Sequence, residues 1–79
     1  MLAPYQGLSK QQAFQKMFDI HQGKALSIDE IIKELYGELT HEEGNLVRKE
    51  IIRNLSRGKQ KGLWEKVPRK VGIYTSIKT

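Results

Sequence analysis

Thr40-His41-Glu42-Glu43-Gly44-Asn45-Leu46-Val47-Arg48-Lys49-Glu50-Ile51-Ile52-Arg53-Asn54-Leu55-Ser56-Arg57 is the stretch from which the rest of this 79-residue chain can be read. It begins with Thr40 and, three residues later, Glu43. A threonine hydroxyl can accept the amide proton at the third position while the glutamate reaches back to the threonine amide, so a helix is expected to start near His41. At about 100° per residue, Val47, Ile51 and Leu55 fall in one narrow arc with Gly44 among them and Ile52 on its flank, an apolar stripe for a core. Asn45, Lys49, Arg53 and Ser56 fall on the opposite side, with Arg57 at one edge. Arg48 lies near the apolar arc and Leu46 near the polar one, against the general split. The helix is expected over about 41–57, with Gly58 as its stop or, alternatively, with one further turn through Lys61.

Working back towards the start, Ser27 with Glu30 repeats the capping pattern ahead of Ile28, Ile31, Ile32 and Leu35, and Gly37 follows Tyr36 as a stop. Only Glu38 and Leu39 separate Gly37 from Thr40, so the second and third helices meet in a tight turn, with Leu39 anchored in the core. Ser9 with Gln12 caps an earlier helix whose Ala13, Phe14, Met17 and Phe18 form its apolar face, expected to end at Gly23. Ala25-Leu26 can supply a short bridge strand before the second helix. Residues 1–8, with Pro4 and Gly7 and no period, read as a flexible arm.

Beyond the third helix the pattern changes from helical to extended. Leu63-Trp64-Glu65-Lys66-Val67 and Ile73-Tyr74-Thr75-Ser76-Ile77 are rich in aromatic and branched residues, and Pro68-Arg69-Lys70-Val71-Gly72 between them reads as a turn. A β-hairpin with a basic tip is expected, with Leu63, Val67, Ile73 and Ile77 facing the helices and Glu65 interrupting that face. Trp64 and Tyr74 are expected as half-buried strand contacts, stacking on bases being the alternative.

Charge is partitioned along the chain. Residues 1–44 carry four lysines against seven carboxylates, a net −3, while residues 45–70 carry nine lysines and arginines against Glu50 and Glu65, a net +7. Lys78 brings the whole to +5. Such polarity in one small domain is the footprint of a protein that meets a polyanion on one side. A chain this short buries only a little over about 60% of its unfolded surface, so it is a single domain with a small core. It has no cysteine, which excludes disulfides, thiolate chemistry and cysteine-bound zinc. His21 and His41 sit in no ligand-spaced cluster, and no glycine-rich phosphate loop is present, so neither an enzyme nor a cofactor is expected. There is no apolar run of the roughly 20 residues needed to cross a bilayer, and Met1-Leu2-Ala3-Pro4 does not read as a signal peptide; a soluble, cytoplasmic protein is the expectation.

Three helices, a short strand before the second, and a hairpin entered through Gly62-Leu63-Trp64-Glu65-Lys66-Val67 and left through Gly72-Ile73-Tyr74-Thr75 resemble the winged helix-turn-helix DNA-binding family. The resemblance runs from Ser9 to Ile77, and the spacing between Leu55 and Leu63 is longer than in the compact bacterial regulators of that family. It implies a mainly α, α+β fold: a winged domain over 9–77 after the arm 1–8, with a tail at 78–79. It further implies double-stranded DNA as partner, the third helix in the major groove and the hairpin of 63–77 on the backbone, in transcriptional regulation or another accessory role. On the residues' own chemistry, Asn45, Lys49, Arg53 and Ser56 suit base or sugar contacts, and Arg57, Lys59, Lys61, Lys66, Arg69 and Lys70 suit phosphates. Glu42 and Glu43 at the start of the helix favour its dipole but repel phosphate. The alternatives are a protein-binding module with an acidic partner, a homodimer through the first helix and, further off, RNA.

Overall fold

The computed structural model describes residues 1–77. The chain forms α1 (Lys10–Ile20), β1 (Leu26–Ser27), α2 (Ile28–Tyr36), α3 (His41–Gln60), β2 (Trp64–Lys66) and β3 (Ile73–Ser76), with a short 3-10 turn at Ala3–Tyr5 before them. The strands make one antiparallel sheet in the order β1-β3-β2. Leu26 lies opposite Tyr74, and Trp64 opposite Ser76. This is the three-helix α+β layout of a winged helix, with β2 and β3 as the hairpin and β1 closing its inner edge.

All three helices start where their side chains dictate. Ser9 with Gln12, Ser27 with Glu30, and Thr40 with Glu43 each form both reciprocal hydrogen bonds, at 3.0 to 3.2 Å. Each cap satisfies amides that have no partner inside the helix and is worth about 1 kcal/mol. α2 stops at Gly37, whose φ of 76° and ψ of −148° lie in a region essentially reserved for glycine. α1 ends earlier than its first following glycine, with His21 rather than Gly23 at its C-cap.

The third helix runs through Gly58 to Gln60, a turn further than 41–57. Its stop is Gly62, at φ 76°, where Leu63 N–H donates to the Gly58 carbonyl at 2.9 Å and Gly62 N–H to the Lys59 carbonyl at 3.0 Å. Gly58 serves a different purpose, because the indole of Trp64 lies directly on the helix backbone at that position. A Cβ on Gly58 would fall 1.9 Å from Trp64 Cζ2. The indole Nε1–H donates to the Leu55 carbonyl at 2.8 Å, so the ring's single polar atom is satisfied in the core. Helix propensity alone would make Gly58→Ala stabilising by about 1 kcal/mol. The clash reverses that sign, and we expect a net loss of about 1–3 kcal/mol in urea unfolding followed by the fluorescence of Trp64, the chain's one tryptophan. An unchanged or raised midpoint would contradict the contact.

The hairpin sits one residue out of the expected register. Trp64, Tyr74 and Ser76 point inward, whereas Ile77 is exposed and Leu63, Val67 and Ile73 are only half-buried. A one-residue slip exchanges the two faces of a strand. This register sends Glu65 to solvent and buries the indole, by far the larger apolar surface, against Phe14 and Phe18 at centroid distances of 5.7 and 5.3 Å. Both Trp64 and Tyr74 are buried rather than half-buried, and neither presents a ring on which a base could stack.

Residues 1–8 are seated on the core instead of forming a free arm. Leu2 N–H donates to the Leu35 carbonyl, the Lys16 ammonium to the Pro4 carbonyl, and Tyr5 is buried with its hydroxyl donating to Glu34 Oε1 at 3.1 Å. The Tyr5 phenol is pushed up to about 12, first by burial and then by the charge and hydrogen bond of Glu34. Because the folded state favours the neutral phenol, this contribution is complete below about pH 10 and is lost as pH rises towards 12. The stability advantage of the wild type over Tyr5→Phe is therefore expected to shrink over that interval; a constant difference in denaturant midpoint would contradict the assignment.

Candidate nucleic-acid interface

α3 is held with one face inward by Ile51, Leu55 and Gly58, all buried. Asn45, Lys49, Arg53 and Ser56 are all exposed on the face opposite, as their spacing requires. Arg57 and Lys59 continue the exposed cations into the last turn and Lys61 into the C-cap, where positive charge also complements the helix dipole. Lys66, Arg69 and Lys70 are exposed on the hairpin.

Tertiary structure divides these residues into groups. Lys59 at the end of α3 and Lys66, Arg69 and Lys70 from the hairpin line one open concavity, together with Val67, Pro68 and Val71. Arg69 reaches it from a left-handed backbone at φ 64°, uncommon for a residue with a side chain and sustained here by the tight turn. Lys61 turns the other way, its Nζ donating to Gln11 of α1 at 3.3 Å, and is separate from the rest. Asn45 lies on the exposed face but also borders a second concavity between α2 and α3, lined by Asp29, Glu38, His41 and Arg48.

Ion pairs spare the basic face. Among the described residues the pairs are Lys10–Glu50, His21–Glu34, Lys33–Glu38 and Arg48–Asp29, and none involves Lys49, Arg53, Arg57, Lys59, Lys61, Lys66, Arg69 or Lys70. Glu43 is committed to its cap, where the Thr40 hydroxyl and amide hold its carboxyl below the usual range. Glu42 is exposed, with no side-chain bond among the described residues.

Arg48 has a clear role that helical spacing could not assign. Half-buried beside the apolar stripe, it donates to Asp29 Oδ1 at 2.7 Å and so ties the middle of α3 to the first turn of α2. Leu46, the other exception, is 73% exposed. Its place near the polar arc was the available signal for that.

On another part of the surface, His21 Nε2 lies 2.8 Å from the same Glu34 oxygen that Tyr5 engages. The His21 hydrogen bond is the chief reason that the Glu34 carboxyl lies below its ordinary range. Among the described residues no cluster of histidine and carboxylates could hold a metal, and no helix is long and apolar enough to cross a membrane. Comparison of the chain with protein-family models, with curated proteins and with solved structures gives no match.

Proposed function

We propose that this protein is a cytoplasmic DNA-binding module of the winged helix-turn-helix type, acting in transcriptional regulation or another accessory role on DNA. In this reading α3 enters the major groove. Asn45, Lys49, Arg53 and Ser56 face base edges and sugars, while Arg57 and the hairpin cations follow the flanking phosphates. Catalysis has no part in it.

One observation carries the reading: Lys59 at the end of α3 gathers with Lys66, Arg69 and Lys70 of the hairpin around one concavity, Lys49, Arg53 and Arg57 stay exposed on the same helix, and none of these cations enters an ion pair among the described residues. Clustered positive charge repels itself in the free protein, and a polyanion that receives it releases its condensed counterions, which favours binding. The test is titration of a labelled duplex at several salt concentrations. About six phosphate contacts give a slope of roughly −5 in log K against log salt. Absence of binding at low salt would remove DNA from consideration.

The second reading is a protein partner on the same face. Glu42 favours it, since a protein surface can offer this carboxylate a cation where a phosphate backbone cannot. Under that reading the duplex titration is blank and the basic face captures an acidic protein.

A further inference from the structure

We infer that Leu46 is a specificity residue that reads the 5-methyl group of a thymine; the inference rests on the proposed seating of α3 in the major groove. A leucine exposed alone on a protein surface needs no explanation. The position of Leu46 does carry one. It precedes Lys49 by one helical turn and Arg53 by two, so these side chains form one row along the exposed face. If Lys49 and Arg53 enter the groove, Leu46 enters with them. At 73% exposure its side chain gains little apolar contact from the fold itself.

The floor of the major groove offers this side chain a single kind of apolar partner. Guanine, cytosine and adenine edges present hydrogen-bond donors and acceptors, which a leucine would strip of water without replacement. Thymine presents a methyl group. The row therefore combines cations suited to guanine or phosphate with one apolar contact suited to thymine, and Asn45 beside it offers the donor and acceptor suited to adenine.

The experiment is selection of preferred duplexes from a random pool with the wild type and with Leu46→Ala, followed by replacement of each thymine in the wild-type duplex by deoxyuridine. That replacement deletes one methyl and leaves every hydrogen bond in place. At one thymine the wild type is expected to bind the deoxyuridine duplex about fourfold more weakly, the worth of one buried methyl. Leu46→Ala is expected to bind the two duplexes equally, with the wild-type salt slope retained. A deoxyuridine effect below about 1.5-fold at every thymine would overturn the inference. So would a variant that remains as sensitive as the wild type, or selected duplexes with no preferred thymine. In each of those cases a full salt slope leaves the proposed DNA binding standing; no salt-dependent binding by the wild type would overturn both.

Discussion

Trp64→Ala is expected to remove about 3–5 kcal/mol of stability, the cost of truncating a large aromatic in a packed core. For a chain of this length, total stability is of the order of 4–12 kcal/mol, so the loss takes much of it. The indole is 1% exposed, lies against Phe14, Phe18 and the Gly58 backbone, and donates its one proton to Leu55. It joins α1, the last turns of α3 and the hairpin. Circular dichroism should show the melting temperature falling by more than about 15 °C. A shift of a few degrees would mean that the hairpin is held by other contacts. Trp64→Phe is expected to fall between wild type and alanine, and in that background the penalty of Gly58→Ala should shrink, because the shorter ring no longer reaches the helix backbone.

The double substitution Lys49→Ala and Arg53→Ala is expected to weaken duplex binding by about 10- to 100-fold while leaving the fold intact. Both side chains are exposed and enter no ion pair among the described residues, and alanine favours the helix, so the protein should unfold at or above the wild-type midpoint. Each lost contact to a base or phosphate is worth about 1 kcal/mol or more, and the salt slope should flatten by up to about 2. Equal binding by the variant, at an unchanged slope, would place the nucleic acid on another face of the molecule.

Much of this architecture is local in origin and could therefore be read from the chain. The three helix starts follow from Ser9, Ser27 and Thr40 and the side chains three residues beyond each, interactions that need no other part of the protein. The exposed row on α3 follows from helical period alone. Non-local contacts decided the features that the sequence concealed. Gly58 is a glycine because Trp64 crosses above it, so its role as a helix stop passes to Gly62. The hairpin register depends on whether Trp64 or Leu63 gains more by burial, which only the space beside α3 determines. Tyr5 is buried because α1 and α2 leave a seat for it beside Glu34, and no periodicity in residues 1–8 announces that. Helical spacing puts Arg48 by the apolar stripe, but its partner there, Asp29, is supplied by α2.

The same division holds for the proposed interface. Its cations were legible as a charge block, since exposure is the default for lysine and arginine. Their grouping was not: Lys59 joins the hairpin residues and Lys61 turns to α1 through tertiary placement.

The central claim, that the exposed face of α3 and the hairpin together receive DNA, is tested most directly by amide chemical-shift mapping of the full chain during titration with a short duplex. The account predicts that shifts concentrate at Asn45, Leu46, Lys49, Arg53, Ser56 and Arg57 and again at Lys66, Arg69 and Lys70, with α1 little changed. Shifts centred on α1, or none at a concentration of duplex that saturates binding by other measures, would contradict it.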